Sequence, residues 1–211
     1  MALFLDSASL DEARQAASYG YVTGCTTNPA LLARAGHADA HEALRALCAL
    51  FHGPVFYQLL ARSVDAMRPE AGRFLGIAPN LGLKIPCTLE GLRFANEMRG
   101  RAKIAITGVF NPSQAYLAAQ AGSDYVIPYV NRVTRFTGDG PGLIGDLVEL
   151  LEPTECEVLA AGIKSAFEAV DVLLAGAQHV SLPLEVIHAM AENPLTQKAM
   201  EDFEAAWAQP R

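Results

Sequence analysis

The stretch Leu81-Gly-Leu-Lys-Ile-Pro86 decides the fold class, because it is an apolar run of strand length that contains a single cation. Successive side chains of a β-strand point to opposite faces, so the apolar side chains at positions 81, 83 and 85 share one face. Gly82 and Lys84 share the other face. In a barrel of parallel strands alternate side chains enter the lumen, so this pattern predicts helices outside the strand and the Lys84 amine inside, near the C-terminal mouth.

Seven further strand-like runs alternate with helix-like stretches along the chain. They are Ala2–Asp6, Gly24–Asn28, Val55–Leu60, Lys103–Val109, Tyr125–Val130, Glu157–Gly162 and His179–Leu182. Eight evenly spaced strand–helix units predict an α/β fold of the (β/α)8 TIM barrel type, and a doubly wound sheet is the weaker alternative. We therefore expect residues 1–192 to form a barrel catalytic domain and residues 193–211 to form an additional C-terminal helix.

Composition and charge narrow the function classes. The 211 residues are 51% hydrophobic and 18% charged, which predicts a well-packed core. The net charge of −7 argues against a nucleic-acid partner, and no apolar run is long enough to suggest a membrane span or a targeting signal. The four cysteines are scattered without metal-site spacing, so we expect reduced thiols, a cytoplasmic protein, and no metal or cofactor.

Helix starts are marked by capping boxes that begin at Ser9 and Ser165. The last helix is expected at about Pro194 to Trp207, and it carries an apolar stripe at spacings of four residues. The stripe consists of Leu195, Ala199, Phe203 and Trp207. Such a stripe packs either on its own barrel or on a neighbouring subunit, and the pattern leaves both open.

Lys84 is the principal catalytic candidate. Burial of an ammonium ion among apolar groups costs several kcal/mol, so a lumen lysine favours the neutral, nucleophilic amine. The structural alternative is a lysine that extends to solvent at the end of its strand.

Other polar residues fall late in their strands, or just after them, and should meet Lys84 at the same rim. They are Asp6, Thr26, Asn28, Gln58, Thr107, Tyr129 and Arg132. Taken alone, each of these residues can be explained by a structural role. Asn28, for example, is a good helix N-cap before Pro29. Their shared placement at successive strand ends is the stronger signal, and it predicts an active site there.

Five motifs, in order along the chain, resemble the transaldolase family, especially the short branch that contains fructose-6-phosphate aldolase. They are LFLDS at 3–7, GCTTNP at 24–29, LKIPCTLEGL at 83–92, IPYVNR at 127–132 and VLAAGIK at 158–164. The resemblance extends over essentially the whole chain. It implies a barrel enzyme that needs no cofactor and acts on a sugar or sugar phosphate.

The resemblance also implies catalytic roles. Lys84 would attack a ketone carbonyl to form the Schiff base. Asp6 would bind a substrate hydroxyl and assist proton transfer, while Gln58, Thr107 and Tyr129 would hold a catalytic water or move protons.

Substrate-binding roles follow from the same resemblance. Asn28 and Thr26 would contact the dihydroxyacetone portion, and Arg132 would receive a phosphate. Gly162 stands where the family commonly has a phosphate-binding serine. Lys164 and backbone N–H groups at the start of the next helix would replace that serine, unless the aldehyde partner carries no phosphate.

Two positions favour one branch of the family. Transaldolases generally have glutamate where this chain has Gln58 and phenylalanine where it has Tyr129, so the resemblance favours a lyase that releases free dihydroxyacetone. A transaldolase is the first alternative, and an inactive sugar-phosphate-binding barrel is the second. The resemblance further implies a ring-type homo-oligomer, decameric in the family, in which the last helix contacts a neighbour.

Overall fold

A computed structural model describes residues 1–36 and 39–208. Eight parallel strands close into a barrel in sequence order, with β8 paired to β1. The strands are β1 (Ala2–Asp6), β2 (Val22–Thr26), β3 (Val55–Gln58), β4 (Leu81–Pro86), β5 (Ile104–Val109), β6 (Tyr125–Pro128), β7 (Glu157–Ala160) and β8 (His179–Leu182). The predicted TIM barrel is thereby confirmed, and the doubly wound alternative is wrong.

Helices follow the strands and surround the barrel. They are α1 (Leu10–Ser18), α2 (Pro29–Arg34), α3 (Ala40–Leu50), α4 (Val64–Leu75), α5 (Leu89–Met98), α6 (Pro112–Gln120), α7 (Val130–Thr137), α8 (Gly140–Leu151), α9 (Ala166–Leu174), α10 (Leu184–Ala191) and α11 (Pro194–Trp207). None of the helices in the described part of the chain is long and apolar enough to cross a membrane.

The second strand differs from its predicted bounds. It begins at Val22 and ends at Thr26, whereas the expected run ended at Asn28. Asn28 instead has extended backbone angles and caps α2, with its side chain accepting a hydrogen bond from the N–H of Leu31. The N-cap preference of asparagine before proline therefore ends the strand two residues earlier than the apolar pattern indicates.

Two apolar layers are separated by the barrel wall, as strand alternation requires. The outer layer lies between strands and helices and includes Leu81, Leu83 and Ile85. The inner layer fills the lumen with the buried residues Phe4, Phe56, Ala105, Ile127, Leu159 and Ala161. The lumen is thus a packed core below its mouth, and a ligand can enter only from an end.

The C-terminal helix α11 has the predicted bounds, but none of its residues is buried. Leu195, Phe203 and Trp207 are 79%, 74% and 88% exposed. The apolar stripe therefore does not pack on its own barrel in the single chain. Its contact with a neighbouring subunit remains a prediction.

Candidate active site

Lys84 lies in the lumen of the barrel and is only 2% exposed. Gly82, two residues earlier on the same face, makes room beneath it. A Cβ atom at Gly82 would lie 2.7 Å from a ring carbon of Phe56 and 2.9 Å from the carbonyl oxygen of Lys103. The absence of a side chain at position 82 therefore lets the Phe56 ring close the lumen below the amine, which keeps water out from that side.

A phenol faces the amine across the mouth. The Lys84 Nζ atom lies 5.7 Å from the centre of the Tyr129 ring. The hydroxyl of Thr107, which is buried, donates a hydrogen bond of 2.8 Å to the phenol oxygen. Because Thr107 is the donor, the proton of Tyr129 remains available for a molecule in the lumen.

Gln58 lies beside Lys84 on the adjacent strand, since the two residues are paired in the register of β3 and β4. Its Oε1 atom is buried and has no hydrogen-bond partner among the residues that the structure describes. Buried polar atoms are nearly always hydrogen-bonded in native proteins. An unpaired acceptor beside a lumen amine is therefore suited to accept from a substrate hydroxyl or a water molecule.

Asp6 ends β1 on the opposite side of the mouth. Its carboxylate accepts a hydrogen bond of 3.0 Å from the Thr26 hydroxyl, and Thr26 also lies 2.7 Å from the hydroxyl of Ser181. Burial raises the pKa of Asp6, and the charges of Lys84 and, more weakly, Lys164 oppose this rise. Asp6 is thus a carboxyl group whose environment suits it to hold or release a proton.

Thr26 is a hydrogen-bond partner of Asp6, and its predicted contact with substrate stays a prediction. Its side chain is completely buried, and its hydroxyl is occupied by Asp6 and Ser181. Asn28, by contrast, uses only its Oδ1 atom to cap α2. Its amide nitrogen is not needed for that cap, so Asn28 can be both an N-cap and a donor to a substrate.

Arg132 lies in the first turn of α7, at the outer edge of the mouth. Its guanidinium carbon is 5.3 Å from the centre of the Tyr129 ring and 5.9 Å from that of Phe110. The two rings meet edge to face with centres 5.8 Å apart. This aromatic pair holds an exposed cation near the phenol, where its fork of donors suits an anionic group.

The rim after β7 carries Gly162 and Lys164, for which contact with a phosphate is predicted. Gly162 has φ of +67°, a left-handed conformation that a serine would adopt only with strain. The backbone N–H of Lys164 donates to the carboxylate of Glu168 at 2.6 Å, and that carboxylate also accepts from Asn131 at 2.7 Å. The Glu168 carboxylate thus occupies the backbone N–H of Lys164. Phosphate binding by the Lys164 side chain and by backbone N–H groups at the start of α9 stays a prediction.

Three residues that sequence reasoning missed contribute to this mouth: Ser181, Glu168 and Phe110. Ser181 could have been found by the rule that singled out Lys84. It is a polar residue in an apolar strand, and its register partner in β1 is Phe4, a lumen residue. Glu168 belongs to the capping box that begins at Ser165, a pattern that predicts a helix start and no place at the mouth, and Phe110 carries no pattern that marks it.

The described residues contain no group of three or more histidine, cysteine, aspartate or glutamate side chains that could hold a metal ion. The polar groups at the mouth include the Lys84 amine, the Tyr129 phenol, carboxylates, amides, hydroxyls and, at the outer edge, a guanidinium. This set can form a covalent bond to a carbonyl carbon and move protons around it.

Comparison with known proteins adds independent information. Residues 3–210 match the family described as transaldolase/fructose-6-phosphate aldolase. A protein of Symbiobacterium thermophilum named "Probable transaldolase" is 34% identical over 98% of this chain and 97% of its own length. A protein of Desulforudis audaxviator with the same name is 37% identical over 99% of this chain and 98% of its own length.

Solved structures with a similar fold include a mandelate oxidase variant, with a TM-score of 0.63 and 16% sequence identity. The alignment covers 87% of this chain and 64% of that one. At such low identity the likeness concerns the barrel fold alone, since the same barrel supports many unrelated reactions.

Proposed function

The chain belongs to the transaldolase/fructose-6-phosphate aldolase family, and from that premise we propose that it is a Schiff-base aldolase. It would cleave fructose 6-phosphate, or a related ketose, reversibly to dihydroxyacetone and an aldehyde. The observation that carries the proposal is the buried amine of Lys84 facing the phenol of Tyr129. An amine nucleophile and an acid–base group in one water-poor lumen are what iminium chemistry requires.

The reaction would begin when the Lys84 nitrogen attacks the ketone carbon. The resulting carbinolamine loses water to give an iminium ion. Deprotonation of the C4 hydroxyl then breaks the bond between C3 and C4, the aldehyde departs, and the bonding electrons move into the iminium to form an enamine. Protonation of the enamine at C3, followed by hydrolysis, releases dihydroxyacetone and restores the amine.

Proton transfers in these steps would fall to residues on both sides of the mouth. Asp6, with its raised pKa, is suited to exchange a proton with a substrate hydroxyl. Tyr129, whose oxygen is fixed by Thr107, is suited to protonate the enamine and to hold the water that hydrolyses the iminium. Gln58 would accept a hydrogen bond from the substrate or the water through its unpaired oxygen.

The second candidate is a transaldolase, and the relatives named "Probable transaldolase" favour it. In that reaction the enamine attacks a second aldehyde instead of being protonated. We place cleavage first because the amide of Gln58 cannot ionise, whereas the Tyr129 phenol can supply the proton that ends the reaction without an acceptor. We also retain the cytoplasm as the expected location.

Borohydride reduction in the presence of dihydroxyacetone tests the mechanism. We expect a covalent adduct on Lys84, detected by mass measurement, and no adduct in Lys84→Met. Lys103→Met is the matched control, because that lysine is exposed and paired with Asp124. If wild type gains no adduct, the Schiff-base proposal fails and the inactive, sugar-phosphate-binding barrel becomes the better description.

A second measurement separates the two reactions. The protein is incubated with fructose 6-phosphate alone, and free dihydroxyacetone is measured over time. Continuous release supports the lyase. Release that requires an added acceptor aldehyde, with a new ketose as product, supports the transaldolase.

A further inference from the structure

Ser181 lies on β8, next to the strand that carries Asp6. β1 is paired with β8 on one side and with β2 on the other. Asp6 is the register partner of Thr26, and Ser181 reaches the same Thr26 hydroxyl from the far side of β1. The three side chains therefore form a chain of hydrogen bonds across three neighbouring strands at the mouth of the barrel.

The direction of these hydrogen bonds follows from the chemistry of the groups. An ionised carboxylate can only accept, so the contact of 3.0 Å uses the single proton of Thr26. Thr26 then has no proton left for its contact of 2.7 Å with Ser181. Ser181 must be the donor there, and the order is Ser181 to Thr26 to Asp6.

We propose that Ser181 is a positioning residue: by donating to Thr26, it directs the Thr26 hydroxyl at Asp6 and fixes the carboxylate toward the lumen. The contact of Asp6 with substrate is taken from the proposed function, and in that respect this proposal rests on it. Both hydroxyls are completely buried, so no solvent can replace either partner. Hydrogen bonds in such a chain polarise one another, so the first bond strengthens the second.

The pKa of Asp6 reports the strength of this chain of hydrogen bonds. The groups that act on its charge are the cations of Lys84, Lys164 and Arg34, the Thr26 hydroxyl and the buried thiol of Cys25. Burial raises the pKa of Asp6, and the hydrogen bond from Thr26 lowers it. A weaker bond from Thr26 leaves more of the burial effect uncompensated, so loss of the Ser181 hydroxyl should raise this pKa further.

Two readouts on the full-length protein test the inference. The first is an NMR titration of the Asp6 carboxyl carbon, assigned with Asp6→Asn, and it needs no substrate. The second is the pH dependence of cleavage, whose acidic limb should follow the same group. We expect Ser181→Ala to move both midpoints upward by about 0.5 pH unit. Thr26→Val, which removes the bond to the carboxylate, should move them by about 1 unit.

Matched variants separate positioning from packing. Ser181→Thr keeps the hydroxyl and should restore the wild-type midpoints. Ser123→Ala, in the loop after α6, removes another buried serine hydroxyl, which donates to the carbonyl oxygen of Ala118 in α6, and should leave the midpoints unchanged. If Ser181→Ala does not fold, Thr26 variants test the same chain of hydrogen bonds. Thr26→Val interrupts it, and Thr26→Ser restores it.

An Asp6 titration in Ser181→Ala that coincides with wild type would overturn the inference and leave Ser181 a packing residue. So would a uniform loss of activity at every pH. Failure of the proposed function looks different. In that case wild type forms no dihydroxyacetone adduct, while the NMR titration still decides whether Ser181 acts on Asp6.

Discussion

The Thr107 hydroxyl, on β5, donates a hydrogen bond of 2.8 Å to the phenol oxygen of Tyr129, which directly follows the neighbouring strand β6. The phenol is held in place by a buried partner that donates to it, and its ring lies 5.7 Å from the Lys84 amine, so its own proton is available for a molecule in the lumen. Fixed orientation and a free proton together are what a general acid needs.

Tyr129→Phe should therefore lower the rate of cleavage about a hundredfold, the usual size of a lost general acid–base group. Trapping of dihydroxyacetone on Lys84 should persist, because the nucleophile is retained. Tyr116→Phe serves as control, since Tyr116 is an exposed residue of α6. Equal cleavage rates in wild type and Tyr129→Phe would show that another group protonates the enamine.

Gln58→Glu should move activity from cleavage toward transfer. A carboxylate at this position can hold a water and exchange protons with an acceptor-bound intermediate, which an amide cannot do. The measurement is the ratio of transferred ketose to free dihydroxyacetone, with an acceptor aldehyde present. Gln58→Asn keeps the amide and is the control for the altered side chain, and an unchanged ratio in Gln58→Glu would contradict the branch argument.

Glu168→Gln should improve the use of a phosphorylated aldehyde. The Glu168 carboxylate occupies the N–H of Lys164 at the rim where a phosphate is expected, so its charge opposes a second anion there. Removal of one charge near this position should lower the KM for glyceraldehyde 3-phosphate about fivefold, which corresponds to about 1 kcal/mol. The KM for uncharged glyceraldehyde should not change.

Glu149→Gln, in the last turn of α8, provides the matched loss of one exposed negative charge at the other end of the barrel. If this control variant changes the KM for the phosphorylated substrate as much as Glu168→Gln does, the effect comes from the net charge of the protein and not from the rim. The comparison is best made at low ionic strength, where charge effects are largest.

Asp6 should reduce stability at neutral pH. Its folded-state pKa is raised above the ordinary value of 3.8, chiefly by burial, so the folded protein binds this proton more tightly than the unfolded chain does. The free energy of unfolding must then fall as pH rises from that ordinary value through the folded-state pKa. Asp6→Asn should be more stable than wild type by about 1 kcal/mol at pH 7.

The gain should disappear in acid, below the ordinary pKa of an aspartate, where the wild-type carboxyl is protonated in both states. Urea denaturation at several pH values measures this difference. Asp146→Asn, on the exposed face of α8, is expected to change nothing. If the free energies of unfolding of Asp6→Asn and wild type differ by the same amount at all pH values, the effect comes from packing and not from the carboxyl charge.

The barrel and the position of Lys84 were predictable because strand alternation is a rule of backbone geometry. The same rule, applied to His179–Leu182, also marks Ser181, whose register partner in β1 is the lumen residue Phe4. The end of β2 was misplaced because the cap at Asn28 depends on a side-chain hydrogen bond that hydropathy does not express. Glu168 was recognised as a cap, but its bond to Asn131 joins two helices that are distant in sequence.

The exposed stripe of α11 predicts that a second copy of the chain covers it. Large apolar side chains such as Phe203 and Trp207 are rarely left open to water in one continuous stripe, and the family resemblance implies ring-type oligomers. Phe203→Ser combined with Trp207→Ser should therefore shift the protein to a smaller species, measured by sedimentation at several concentrations. Leu89→Ser, at another exposed apolar residue, should leave the assembly unchanged. A wild-type protein that sediments as a monomer at all concentrations would mean that another partner, or none, covers α11.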